Sequence, residues 1–185
     1  MPLIPYADTA ALPEKVREVF DKLPRKLNIF RMWANAPDCF RQGLRFGGAI
    51  LGRQKLPGDL RELVILLVAK VEGGTYEWVQ HVPIAEAAGC RKEQIDALER
   101  ADLTATCFDA REKVLLRFAD DVIRNVAASE ENVQAASRHF SPQEIVEIIL
   151  TCGFYMTMAR LTETTRVDVD APGGTAVLES LTKMR

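Results

Sequence analysis

The segment that most limits how this chain can fold is Leu60 to Val71, because winding it as a helix puts apolar side chains on nearly every side. Such a helix has no face to give to water and must lie at the centre of a bundle. The turn Leu56-Pro57-Gly58-Asp59 feeds it and Gly73-Gly74 stops it. Nowhere does a run alternate apolar and polar residues as a half-buried strand would, so the expected fold class is all-α.

The surrounding helices can be read from their punctuation. Pro13 opens a block that ends near Leu23, before Pro24, with Val16, Val19, Phe20 and Leu23 as its stripe. Leu27 to about Asn35 follows, and then Pro37 to Leu51 carries Phe40, Leu44, Phe46 and Ile50. Gly43, Gly47 and Gly48 in that block point to close helix packing or to a bend. After Gly73-Gly74, Thr75 is expected to cap a helix from Tyr76 to about Ala88, bent by Pro83 and closed by Gly89. A short helix from Lys92 to Arg100 precedes a long one from Asp109 to about Ala127, with Val114, Leu115, Phe118, Val122 and Val126 inward. Ser141-Pro142-Gln143-Glu144 has the form of a capping box and opens a helix to about Thr164, burying Ile145, Ile148, Ile149, Cys152, Met156 and Ala159. Residues 168–174 read as turn or tail, and Val177 to Met184 as a short docking helix.

At 185 residues, 48% hydrophobic and 27% charged, the chain fits a single domain spanning 1–185. Residues 1–25 form an N-terminal extension and 166–185 a C-terminal tail. A net charge of -2 without long runs of either sign gives no reason to expect nucleic acid. The longest mainly apolar stretch, Leu63 to Val71, is about half of what a bilayer span needs, so no membrane partner is expected. Met1-Pro2-Leu3-Ile4-Pro5-Tyr6 lacks the pattern of a secretory signal, which makes a cytoplasmic location the expectation. Cys39, Cys90, Cys107 and Cys152 form no C-x-x-C or C-x-x-H group, so they are read as reduced and mostly buried thiols, with no metal site.

With two histidines, imidazole chemistry must use His81 or His139, and His139 falls in a loop before the Ser141 cap. His81 follows Glu77 by four residues, so both share one helix face and are placed to hydrogen-bond. Glu77 falls in the first turn, where the helix dipole favours a carboxylate. An anionic Glu77 would stabilise the imidazolium and tune His81 towards proton transfer. Such pairs are also common on solvated helices. Here Tyr76, Trp78, Val79, Val82 and Ile84 make the helix largely apolar, and a buried charged pair needs a reason.

Leu60 to Ala69, then Tyr76-Glu77-Trp78-Val79-Gln80-His81-Val82-Pro83-Ile84-Ala85 with Ala88-Gly89, resemble the core signature of the carboxymuconolactone decarboxylase and alkyl hydroperoxidase D (AhpD) superfamily. Glu144 to Glu147 and Gly153 to Arg160 are similar to its closing helix, so the resemblance covers roughly residues 20 to 165. It implies an AhpD-like multi-helix bundle that assembles into dimers, trimers or hexamers, with Trp33 and Phe46 available for an interface. In the peroxidase branch a C-x-x-C-x-x-x-H motif supplies two redox thiols. This chain keeps the histidine as His81 and an earlier relay glutamate as Glu62, but Gly74 and Glu77 stand at the cysteine positions. Dithiol peroxide reduction is therefore unavailable, and the pattern matches the decarboxylase branch.

Glu62 is either exposed at the mouth of the core or buried beside His81, where it could hold a second proton. Arg160 could bind a substrate carboxylate or pair with a neighbouring acid, and Tyr76 and Trp78 could line a pocket or pack in the core. The leading expectation is a cofactor-independent lyase or isomerase in which His81, Glu77 and Glu62 move a proton on a small carbonyl, lactone or carboxylic-acid substrate. The alternatives are a peroxidase-like oxidoreductase using an isolated cysteine, Cys152 or Cys90, with an external thiol, and a non-catalytic oligomeric binding protein.

Overall fold

A computed structural model describes residues 1–176. Among them are α1 (Glu14–Asp21), α2 (Asn28–Trp33), α3 (Pro37–Arg53), α4 (Gly58–Glu72), α5 (Thr75–Ala88), α6 (Lys92–Glu99), α7 (Ala110–Asn125), α8 (Glu130–Ser137) and α9 (Pro142–Thr165), and no strand. The all-α expectation holds. The docking helix expected over Val177 to Met184 lies outside the described residues.

As its pattern demands, α4 is the centre: every residue from Leu60 to Ala69 is buried, and α5, α6, α7 and α9 pack around it. Gly73 takes the left-handed conformation at φ 70° that ends α4, which turns the chain straight into α5. Gly74, not Thr75, is the cap position of α5, since Thr75 is already the first helical residue; its amide donates across to Glu163 Oε1 on α9 at 2.9 Å. α5 continues through Pro83 as helix. Capping boxes start α7 at Asp109 and α9 at Ser141. α8, absent from the sequence reading, is capped by Ser129 and buries Ala136 alone of its eight residues, so it offers little apolar periodicity.

Two buried stripes differ from expectation. On α9 the inward residues are Ile148, Thr151, Cys152, Tyr155, Met158, Ala159 and Thr162, while Ile149 is exposed and Ile145 and Met156 are half-buried. The stripe is rotated because two threonines and a tyrosine pack inward and isoleucine and valine point out. On α7, Leu115, Leu116, Phe118, Ala119 and Ile123 are buried, and Val126 lies beyond the helix end, exposed.

In α3 the glycines serve close packing within one continuous helix. A Cβ at Gly43 would fall 2.0 Å from Cζ2 of Trp33, and one at Gly47 would fall 2.8 Å from Cζ of Phe154. α1 is part of the core through Val16 and Phe20. By length and composition alone α9 could cross a membrane, a point that counting unbroken apolar runs passes over; in the fold its inner face packs on α4, α5 and α7.

Candidate active site

The buried face of α5 is unusual in carrying its polar residues: Tyr76, Glu77, Gln80 and His81 point inward with Ile84 and Ala85, while Trp78, Val79 and Val82 are half-buried. A polar group placed inside an apolar bundle is informative because it must find partners there. His81 finds Glu62. Its Nδ1 lies 2.8 Å from Glu62 Oε2, and Glu62, fully buried, takes Nε and Nη2 of Arg61 on Oε1 at 3.1 and 3.0 Å. The second reading of Glu62 given above is thus the observed one. Tyr155 sets its ring edge against the imidazole, with centroids 4.8 Å apart and planes at 87°. The ring is held on two sides, and Nε2 has no hydrogen-bond partner among the described residues.

The hydrogen bond expected between Glu77 and His81 does not form. Glu77 and His81 line the same cavity, but the Glu77 carboxylate folds back over its own helix terminus and meets Thr162 Oγ1 of α9 at 3.1 and 3.2 Å. The physical reason is competition, because Glu62, held by Arg61, already occupies Nδ1 of His81, whereas Thr162 and the Glu77 backbone N–H serve the shorter reach. Burial pushes the Glu77 carboxyl up to about 6, against the opposing pull of its own amide, Thr162 and His81. Gly74 makes this conformation possible, since a Cβ there would lie 2.7 Å from Glu77 Oε2 and 3.0 Å from Ala159 Cβ. The two positions that match the superfamily's cysteines are therefore side by side, with one side chain filling the space of both.

The cavity has a volume of about 90 Å³ and is partly open. Phe30, Trp33, Leu44, Phe154 and Met158 are among its apolar wall residues, and Tyr76, Glu77, Gln80, His81 and Tyr155 supply its polar groups. One side is closed by the chain after α9. There Asp170 Oδ2 accepts the Tyr76 hydroxyl at 2.6 Å and the Asn28 amide at 2.7 Å, and the Gly173 amide donates to Gln80 Oε1 at 2.8 Å. This strap places Gly173 and Gly174 in the cavity wall.

Of the remaining expected site residues, Tyr76 lines the cavity, but Trp78 does not: it borders a separate surface hollow with Lys70, Gly73 and Thr75. Arg160 is 58% exposed and its Nη2 donates to Glu72 Oε1 at 3.0 Å, so it is a surface ion pair. Eleven residues, close to three turns, separate it from Ile149, and both side chains are exposed. Trp33, considered for an interface, is half-buried and lines the cavity. His139 is exposed in the turn before α9. Cys90 and Cys152 are buried, and desolvation pushes both thiols up to about 12; Cys39 is exposed and Cys107 half-buried. Among the described residues no three His, Cys, Asp or Glu side chains gather to hold a metal ion.

Arg61, Tyr155, Thr162 and Asp170 were missed by sequence reasoning. Tyr155 and Thr162 had a signal, since they lie on the helical row through Ile148, Cys152 and Ala159. Asp170 had none, because its partners are 94 and 142 residues away in the chain.

The bundle has an AhpD-like fold. The AhpD-core crystal structure of an uncharacterized peroxidase-related protein from Ralstonia eutropha JMP134 is similar over 91% of this chain and 92% of its own, with 24% identity and a TM-score of 0.78. A peroxidase-related protein from Silicibacter sp. TM1040 is similar over 100% and 96%, at 20% identity and a TM-score of 0.76. The debrominase Bmp8, solved with 2,3,4-tribromopyrrole, is similar over 99% and 97%, at 17% identity and a TM-score of 0.72. Among curated proteins none matches the sequence. Residues 37–121 match the family model of the carboxymuconolactone decarboxylase family. That match spans the Leu60–Ala69 and Tyr76–Gly89 segments that carry the resemblance, and the fold around them is AhpD-like.

Proposed function

We propose that this chain is a cofactor-independent acid/base enzyme in which His81 and Glu77 move a proton on a small carbonyl-type substrate. The observation that carries the reading is the clamp of His81 Nδ1 on Glu62 at 2.8 Å, with Nε2 left free and Glu77 on the same cavity wall. With Nδ1–H donated to Glu62, Nε2 bears the lone pair and serves as the base for a proton beside a carbonyl. Glu77, at about 6, is neutral often enough near neutral pH to give its proton to the carbonyl oxygen as the enol forms. Returning the proton to a different carbon gives isomerisation, and giving one to the carbanion left by carbon dioxide gives decarboxylation. Glu62 and Arg61 are positioning residues, because they act through the imidazole.

The isolated-cysteine alternative has less support, since a thiol raised to about 12 is almost wholly protonated and is a poor nucleophile. Self-assembly is part of the proposal. Val146, Ile149 and Leu150 of α9 are all exposed, and Phe46, 40% exposed, sets its ring edge against Phe154 beside them. Such a contiguous apolar strip suits a contact between copies.

The test is deuterium uptake from D2O at the carbon beside the carbonyl of cyclohex-2-enone and of δ-valerolactone, followed by proton NMR. The native chain is expected to accelerate exchange on at least one probe, and His81→Asn to lower that rate by about 100-fold or more with an unchanged helical circular-dichroism spectrum. Replacement of all four cysteines should leave the exchange intact. Full exchange in His81→Asn would overturn the assignment.

A further inference from the structure

The charge of the cavity wall restricts the substrate more than the reaction does. Nearly all of that wall is carbon: Leu27, Ile29, Phe30, Trp33, Leu44 and Met158 among others. Among the described residues no lysine or arginine lines it. The arginine expected to receive a substrate carboxylate, Arg160, is spent on Glu72 at the surface. Arg61 lies behind Glu62, and the two charges cancel at 3.0 Å. Among the described residues the remaining ionisable groups on the wall are Tyr76, Tyr155, His81 and Glu77. The tyrosines are raised by burial, so neither carries charge, and the pairing of His81 with Glu62 draws any imidazolium charge away from the opening. Above pH 6, Glu77 adds a negative charge, and among the described residues the imidazole of His81, itself paired with Glu62, is the only basic side chain on the wall to offset it. A carboxylate entering this space would lose its water, meet no lysine or arginine and face a like charge, which is costly at low dielectric.

Size adds a second limit. A closed apolar cavity of about 150 Å³ takes one benzene. A cavity of about 90 Å³ is smaller but partly open, so a single small ring is the most it can take, with Trp33 and Phe154 among the aromatic side chains of its wall. Tyr155 offers a hydroxyl, only 4% exposed as a residue, which has no partner among the described residues and belongs to the same wall.

We propose that the substrate is a neutral, largely apolar single-ring molecule bearing one hydrogen-bonding oxygen, and that the cavity rejects its carboxylate counterparts. This rests on the acid/base reading for the chemistry but not for the binding. It narrows that chemistry to proton shifts on an uncharged carbonyl or enol, because decarboxylation would need the anion that the wall excludes.

The probes are phenol and benzoate, equal in ring, the first neutral and the second anionic at pH 8. Trp33 lines the cavity and Trp78 does not, so Trp78→Phe leaves Trp33 as the fluorescent reporter. Phenol is expected to quench Trp33 with a dissociation constant at least about tenfold below that of benzoate. Glu77→Gln should raise benzoate affinity about tenfold and leave phenol within about twofold. Equal or tighter benzoate binding to the native wall overturns the proposal, as does the absence of saturable phenol quenching. So does a Glu77→Gln chain, folded by circular dichroism, whose benzoate affinity is unchanged. His81→Asn separates the two readings: a preference for phenol that persists beside undiminished deuterium exchange sinks the catalytic role and leaves the substrate class standing.

Discussion

At the scale of single residues the site is organised by a contest for partners. Glu62 has the more buried position and the closer cation, so it takes Nδ1 of His81 and leaves Glu77 to Thr162. The consequence for Glu77 can be measured. Its carboxyl is raised from the ordinary 4.5 to about 6 by burial, so the folded chain holds this proton more tightly than the unfolded one. Stability from this group is complete below pH 4.5 and is lost as pH rises through about 6. Denaturant unfolding of the native chain should therefore lose about 2 kcal/mol relative to Glu77→Gln between pH 4 and pH 8. A constant difference between the two across that range would contradict the burial argument.

At the scale of helices, contacts between elements depend on residues too small to be seen as apolar. α3 approaches Trp33 through Gly43 and Phe154 through Gly47, and these two aromatic rings in turn form the cavity wall. Gly43→Ala sets a Cβ 2.0 Å from the indole, which is rigid and is packed edge-on against Phe40 with ring planes at 90°. The expected cost is about 1–3 kcal/mol in urea unfolding, despite the gain in helix propensity that alanine brings. The same substitution should weaken phenol quenching of Trp33, because the indole must move. A stabilised Gly43→Ala variant would show that the approach of α3 is looser than described.

For the molecule as a whole, the outer face of α9 is the feature not accounted for by the single chain. A helix with Ile148, Cys152 and Ala159 buried on one side and Val146, Ile149 and Leu150 exposed on the other leaves apolar surface in water. Light scattering is expected to give a multiple of the 20.6 kDa chain mass, and Val146→Glu with Ile149→Lys to lower it with little change in helicity. A native chain that scatters as a monomer would count against assembly through this face.

What the sequence determined by itself was whatever local rules decide. The all-round apolar run Leu60–Val71 required a central helix, Ser141 and Glu144 marked the start of α9, Gly73-Gly74 marked the hairpin, and the spacing of Glu77 and His81 put them on one face. The tertiary structure decided which partners those side chains took, because burial and distance between helices have no image in a local pattern. It turned α9 by one row, brought Tyr155 and Thr162 in and Ile149 out, and gave His81 to a glutamate 19 residues away rather than to the one a single turn before it. It also closed the cavity with Asp170, whose role depends on where the chain returns after α9 has run its length.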